Sequence, residues 1–99
     1  MAQRDEPIAC SLPLREAAEQ AGEWTDLQGH ALAYEEIAGG VTVRYPGEIA
    51  DRVESLVERE AACCAWLSLE TERSSDTIVV RLTSDNPDAG PVIRALVGA

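Results

Sequence analysis

Two cysteines stand side by side in the stretch EREAACCAWLSLE, which covers residues 58 to 70. Thiolates bind soft metal ions and act as nucleophiles in redox chemistry. A third cysteine, Cys10, lies near the other end of the sequence, and the residues around it, MAQRDEPIACSLPL, lack the features of an export signal. An odd number of cysteines in such a chain favours reduced thiols over a disulfide framework.

A carboxylate is predicted to lie beside these thiols. The run EIADRVESLVEREAACC has the apolar spacing of an amphipathic helix, and Glu60 lies about 20° from Ile49 when each residue turns the helix by about 100°. Cys63 and Cys64 follow Glu60 at i+3 and i+4 and flank the same line. We therefore expect Glu60 to be buried, with a polar partner or a raised pKa, and to serve as a neighbour or proton acceptor of the thiols.

The elements that must position these residues can be read from local patterns. PIACSL predicts a first strand over about 8 to 12, and an amphipathic helix follows to about Gly29. The runs ALAYEEIA and VTVRYP flank the pair Gly39-Gly40 and predict a hairpin, and WLSLETER and DTIVVRLTS predict a second hairpin around RSSD. The last stretch, DNPDAGPVIRALV, predicts a short helix. The apolar side of the first helix is expected to carry Leu14, Ala17, Ala18, Ala21, Thr25, Gln28 and Leu32, with Gln20 on the other side.

The order β-α-β-β-α-β-β-α predicts a single α+β domain over residues 1–99 with a ferredoxin-like, split βαβ arrangement. Right-handed crossovers then give a five-stranded antiparallel sheet in the order 5-4-1-3-2, with the helices on one face. In this order the first strand lies beside the fourth. We therefore expect Cys10 to meet Cys63 and Cys64 at one end of the sheet.

The charge balance excludes some classes of partner. The 18 acidic and 8 basic residues give a net charge of −10, which repels phosphate backbones and argues against nucleic-acid binding. The longest apolar run, AACCAWL, is far shorter than a membrane span. The sequence therefore favours a cytoplasmic protein without membrane or nucleic-acid contact. His30 is interpreted as a helix-end residue, and Trp24 and Trp66 as packing residues.

The residues IACSL, followed much later by EAACCAWL, resemble a group of small, largely uncharacterised bacterial proteins. That group carries the pattern I-x-C-x-L and then E-x-x-C-C-x-aromatic-L, and the match covers nearly the whole chain in order and spacing. The resemblance implies that Cys10, Glu60, Cys63 and Cys64 form one site. It implies no particular reaction.

The predicted topology is also similar to that of heavy-metal-associated domains, which hold soft metal ions by thiolates in the loop after the first strand. Cys10 falls at the corresponding place. The M-x-C-x-x-C loop of those domains is missing, because Cys10 is followed by SLPL. If a metal binds, the other thiolates must therefore come from Cys63 and Cys64.

The sequence leaves three functions open and does not decide whether the protein is an enzyme. The first is a site for a soft ion such as Hg(II), As(III) or Cu(I), held by Cys10, Cys63 and Cys64, because three thiolates suit such ions better than four-ligand structural zinc. The second is thiol–disulfide or peroxide chemistry with a small thiol as partner. The third is an assembly module with structural cysteines, whose open sheet face is a candidate homodimer surface.

Overall fold

The structure, a computed structural model, describes residues 14 to 99 and leaves the side chain of Leu14 undescribed. Cys10 and the predicted strand over 8 to 12 lie outside the described residues. Within the described residues, three α-helices pack with one antiparallel sheet of four strands, so the predicted α+β class is confirmed. The elements are α1 (Leu14–Gln28), β1 (Ala33–Ile37), β2 (Gly40–Pro46), a short 3-10 turn (Gly47–Ile49), α2 (Ala50–Cys63), β3 (Ser68–Arg73), β4 (Thr77–Thr83) and α3 (Gly90–Val97).

The order of the strands differs from the prediction. The sheet runs β1-β2-β4-β3, and β4 pairs directly with β2 through Val43 opposite Val80 and with β3 through Leu69 opposite Leu82. The predicted order 5-4-1-3-2 is therefore wrong. It put the first predicted strand between the third and the fourth, whereas in the structure the fifth predicted strand, β4, lies there. The observed order is compatible with a ferredoxin-like sheet in which β4 takes that central place, and the described residues supply four strands rather than five.

The apolar pattern of β4 explains why it can occupy the centre of the sheet. Ile78, Val80 and Leu82 alternate along the strand, and each is fully buried. The strand beside it, β2, has the same pattern with Val41, Val43 and Tyr45. Alternate residues of both strands thus face the helices, which is the arrangement expected for a sheet covered on one side. The prediction that the helices share one face is confirmed for the described part of the chain.

The opposite face of the sheet is polar. Arg44 on β2 and Arg81 on β4 are exposed there, and Arg81 lies 3.8 Å from Glu70 on β3. Exposed ion pairs of this kind contribute at most about 1 kcal/mol each. Within residues 14 to 99, no helix has the length and apolar character needed to cross a membrane.

The first hairpin is confirmed, with its turn one residue earlier than predicted. Ala38 and Gly39 form the turn, and Gly39 has a φ of 79°, which favours glycine. Gly40 already belongs to β2, and a Cβ there would lie 1.8 Å from the carbonyl oxygen of Leu82. Glycine at this position therefore allows the first hairpin to approach β4 closely.

The predicted apolar face of α1 is wrong. Gln20, Trp24 and Leu27 are buried in this helix, whereas Ala18 and Ala21 are exposed, as are Thr25 and the following Leu32. The reason is side-chain size, because one indole and one leucine bury far more apolar area than several alanines. The sequence pattern counted the alanines as equal to larger residues and so rotated the helix away from its true orientation.

The last helix packs against α1 and beside the edge strand β1. The Gln28 amide donates to the carbonyl oxygens of Ala95 and Leu96 at 3.3 and 3.2 Å, and the Tyr34 hydroxyl donates to that of Val97 at 2.8 Å. These contacts satisfy carbonyl groups at the end of α3 that have no partner within the helix. They hold α1 in place at the end opposite to the cysteines.

Candidate metal centre

Helices α1 and α2 lie antiparallel, and this orientation brings Gln20 beside the end of α2. Arg59 of α2 donates to both carboxylate oxygens of Glu23 at 2.6 and 2.7 Å. Seven residues earlier on α2 and three later on α1, Arg52 lies 3.7 Å from Asp26. Residue numbers rise on α1 as they fall on α2. The N-terminal half of α1 therefore faces the C-terminal turn of α2, where Cys63 ends the helix.

The carboxylate of Glu60 lies at the centre of the site. Its side chain is 7% exposed, as predicted from its place on the apolar line of α2. Oε1 accepts hydrogen bonds from the Trp24 indole N–H at 2.7 Å and from the Gln20 amide at 3.0 Å. Oε2 accepts one from the Cys64 thiol at 2.7 Å. Two donors from α1 and one from the residue after α2 thus replace the water that a carboxylate loses on burial.

Both cysteines face this carboxylate because the helix ends between them. Adjacent positions on a helix differ by about 100° in direction and seldom share a face. Cys63 is the last residue of α2, and Cys64 has left helical geometry with φ −121° and ψ 85°, although its amide still donates to the Glu60 carbonyl at 2.9 Å. The two sulfurs lie 3.5 Å apart, beyond the length of about 2.05 Å for a disulfide bond.

The three side chains together have the composition of a metal-binding site. One carboxylate oxygen of Glu60 and the sulfurs of Cys63 and Cys64 all lie within 4.8 Å of one another, and all three residues are buried. The Gln20 amide also lies 3.4 Å from the Cys63 sulfur. Two sulfur ligands and one oxygen ligand within this distance could hold a single ion.

Burial raises the pKa of the Cys64 thiol well above its usual range. Its hydrogen bond to the Glu60 carboxylate raises this pKa further, because ionisation would remove the donated proton and place two negative charges side by side. Cys64 is therefore protonated at neutral pH. A metal ion must displace this proton to bind the sulfur.

The raised pKa of Cys64 predicts a loss of stability at alkaline pH. Below about pH 8.5, the usual cysteine pKa, the thiol is protonated in both the folded and the unfolded chain, and its stabilising contribution is complete. Above that pH the unfolded chain loses the proton while the folded protein keeps it, so the free energy of unfolding should fall by up to about 1.4 kcal/mol per pH unit.

Urea denaturation between pH 7 and pH 10 measures this slope. The Cys64→Ala variant should show a flatter profile than the parent protein. Burial also raises the pKa of Tyr45 above its usual range, but that residue affects stability only above about pH 10. Equal slopes for the parent and the variant between pH 8.5 and 10 would contradict the assignment to Cys64.

One of the two cysteines lies on the wall of a surface groove. Its volume is about 400 Å³, and Cys63 lies on its wall together with Ala62 and Gln20. The rest of the wall is charged and consists of Glu16, Glu19, Glu23 and Arg59. Cys64 is absent from this wall. Both residues are buried, at 5% exposure for Cys63 and 2% for Cys64, and of the two only Cys63 lines the groove.

The structure brings together three of the four predicted site residues, Glu60, Cys63 and Cys64. Cys10 lies outside the described residues, and the argument that placed it beside the others fails, because β4 occupies the position assigned to the first strand. His30 is exposed in the turn after α1 and does not belong to the cluster. Two residues that the sequence interpretation missed are Gln20 and Trp24. They are four residues apart, which places them on one face of α1, and this spacing is the signal in the sequence that could have identified them.

Comparison with models of known protein families, with curated proteins and with solved structures finds no match to this chain.

Proposed function

We propose that this protein binds a soft metal or metalloid ion through the sulfurs of Cys63 and Cys64, with Glu60 as the proton acceptor. The observation that supports this proposal best is the cluster itself, in which two sulfurs and a carboxylate oxygen lie within 4.8 Å of one another in a buried position. Soft thiolate ligands select ions such as Cu(I), Hg(II) or As(III) over hard oxygen-seeking cations.

The charge of the site is consistent with an incoming cation or metalloid. The site holds the thiols of Cys63 and Cys64 beside the carboxyl group of Glu60, so its total charge depends on how many thiol protons an ion displaces. When a divalent ion replaces the two thiol protons, the total is unchanged, so no additional charge is transferred into the protein interior. Binding should therefore release protons, and affinity should rise with pH.

Cys10 remains the proposed third thiolate, and the short separation in sequence between Cys10 and α1 supports this proposal. Helix α1 begins at Leu14, six residues before Gln20, whose amide lies 3.4 Å from the Cys63 sulfur. Cys10 precedes Leu14 by four residues, and four extended residues reach about 14 Å. A Cys10→Ser variant that binds the ion as tightly as the parent would remove Cys10 from the site.

A redox function is the second candidate. The contact of 3.5 Å between the two sulfurs and the position of Cys63 on a surface groove favour it. The raised pKa of Cys64 argues against this residue as the nucleophile of a redox reaction, because the thiolate is the reactive form. Rapid oxidation by mild peroxide with a mass loss of two hydrogens, together with no ion binding, would favour redox chemistry. If the thiols of the folded protein react neither with peroxide nor with the ions, a structural or assembly role remains.

The loss of either buried sulfur should abolish tight binding of the ion. We expect Cys63→Ser and Cys64→Ser to weaken binding at least about 100-fold, because a second ligand in the same molecule raises the effective concentration by that order. Native mass spectrometry of the reduced full-length chain with Hg(II), Cu(I) and arsenite, combined with the ultraviolet absorption of sulfur–metal bonds, measures the effect.

Two control variants accompany this experiment. Ala61→Ser introduces a serine on the exposed side of the same helix turn, and His30→Ala removes the single imidazole of the chain. Both should bind like the parent protein. If His30→Ala weakens binding as much as the cysteine variants do, the ligand set proposed here is wrong.

A further inference from the structure

The distance between the two sulfurs restricts the geometry of a bound ion. With sulfur–ion bonds of about 2.3 Å, as in thiolate complexes of zinc, sulfurs 3.5 Å apart subtend an angle of about 100° at the ion. A linear S–ion–S arrangement, which two-coordinate Hg(II) and Cu(I) adopt, would need sulfurs about 4.6 Å apart. The site as folded therefore favours an ion with a bent arrangement of ligands.

Coordination number distinguishes between the ions with bent geometry. Tetrahedral zinc takes four ligands, or three protein ligands and one water. Trivalent arsenic takes only three, in a pyramid whose angles lie close to the value derived above. Glu60 can offer zinc only Oε2, because Oε1 already accepts hydrogen bonds from Trp24 and Gln20. The cluster of Glu60, Cys63 and Cys64 thus supplies three ligand atoms to zinc, which then needs a fourth. Arsenic needs neither oxygen of Glu60, because two sulfurs and one outer group complete its coordination.

The charge on the wall of the groove discriminates between neutral and anionic forms of arsenic. Three glutamates and one arginine line the approach to Cys63, and the whole chain carries a net charge of −10. Anions such as arsenate or phosphate are repelled by this field. Arsenous acid and organic As(III) hydroxides are neutral at physiological pH and do not meet that repulsion.

From the sulfur spacing, the hydrogen bonds of Glu60 and the groove, we propose that the preferred ligand is a trivalent arsenic hydroxide, bound by Cys63 and Cys64 as a bent dithiolate. This inference rests on the proposed function and narrows its ligand class. It also assigns different roles to the two thiols, because Cys63 faces the groove and Cys64 donates to Glu60.

The two condensation steps need no oxidant. The Cys63 sulfur forms a bond to arsenic, one As–O bond breaks, and the departing hydroxide takes the thiol proton and leaves as water. The Cys64 sulfur then forms the second As–S bond while its proton passes to the Glu60 carboxylate, 2.7 Å away. Glu60 returns this proton to the second departing hydroxide. Two thiols and one As(III) dihydroxide thus give one dithiolate and two waters, with arsenic trivalent throughout.

Phenylarsine oxide, which hydrates to a phenyl As(III) dihydroxide, is the probe that tests this inference. Its phenyl group fills the third position of arsenic, so it needs two thiols and no third ligand, and the groove of about 400 Å³ has room for the ring. The reduced full-length chain and its Cys10→Ser variant should each bind one equivalent, with the mass of the dihydroxide less two waters. Cys63→Ser and Cys64→Ser should bind at least about 100-fold more weakly.

Competition with dithiothreitol separates the ligand preference from the general affinity of each ion for thiols. For each ligand the measured quantity is its affinity for the protein divided by its affinity for dithiothreitol. We expect this ratio to be at least about tenfold higher for the arsenical than for Hg(II).

Glu60→Gln should slow association with the arsenical more than it changes the affinity, because it removes the proton acceptor of Cys64. The reverse pattern, or equal rates, would overturn the assigned role of Glu60.

The outcomes distinguish this inference from the proposed function. If Hg(II) or Cu(I) binds through Cys63 and Cys64 while the arsenical shows no preference over dithiothreitol, the inference is wrong and the proposed function stands. Zinc binding at one equivalent that excludes the arsenical would also overturn the inference. If none of these ions binds to the folded, reduced chain, both proposals fail.

Discussion

Replacement of Trp24 by alanine is expected to lower the free energy of unfolding by about 3–5 kcal/mol, the range for removal of a large buried aromatic side chain. Trp24 is 1% exposed and is among the largest side chains in the core. It also donates the shortest hydrogen bond to Glu60 from α1, at 2.7 Å. Urea denaturation followed by circular dichroism measures the loss, and a decrease below about 1 kcal/mol would contradict this role in the core.

The hydrogen bond of Trp24 can be separated from its packing by a matched pair of variants. Trp24→Phe and Trp66→Phe make the same change at two buried tryptophans. The indole N–H of Trp66 has no hydrogen-bond partner within residues 14 to 99, whereas that of Trp24 bonds to Glu60. Trp24→Phe should therefore be more destabilising than Trp66→Phe by about 1–3 kcal/mol. Equal losses would mean that Trp24 acts by volume alone.

The part of the site on α2 could be predicted because it depends on local geometry. A regular helix turns by about 100° per residue, so the spacing of Ile49, Val53 and Leu56 fixes the direction of Glu60. Leu56 and Val53 are buried, and so is Glu60 at 7% exposure. A charged residue on such a line must be buried with partners, and this makes it visible in the sequence.

The strand order could not be predicted from periodicity. Alternation shows that a strand has one buried face, but it does not say which strand lies beside it. The stretch PIACSL and the run TIVVRLT both suit a place in a sheet, and the preference for right-handed crossovers does not say which of them lies at its centre. The observed pairing of β2 with β4 shows that the second occupies the centre.

The partners of Glu60 on α1 were missed for a different reason. A hydropathy pattern assigns Gln20 to the solvent side, because glutamine is mostly exposed in proteins. Gln20 is 7% exposed here because its amide contacts both Glu60 and the Cys63 sulfur. Such a contact joins two helices that are far apart in sequence. No pattern within either helix alone contains that information.

Replacement of Glu60 should have two different effects, depending on the substitution. Glu60→Leu removes the acceptor of three buried donors, and we expect a loss of about 3–5 kcal/mol, the range for removing one partner of a buried charged interaction. Glu60→Gln keeps one oxygen but sets its amide N–H group against a donor on either α1 or Cys64, and we expect a loss of about 1–3 kcal/mol. Chemical denaturation at neutral pH measures both.

Glu58→Gln is the matched control for Glu60→Gln, because it neutralises an exposed carboxylate on the same helix. It should change stability by less than about 0.5 kcal/mol.

A double variant, Trp24→Phe with Glu60→Leu, should lose less free energy of unfolding than the sum of its single variants, because the two changes remove both partners of one hydrogen bond. If Glu60→Leu is instead more stable than the parent, the desolvation of the carboxylate exceeds the gain from its three hydrogen bonds. Stability would then give no reason for a carboxylate at this position, and proton transfer from Cys64 would remain as the physical reason for it.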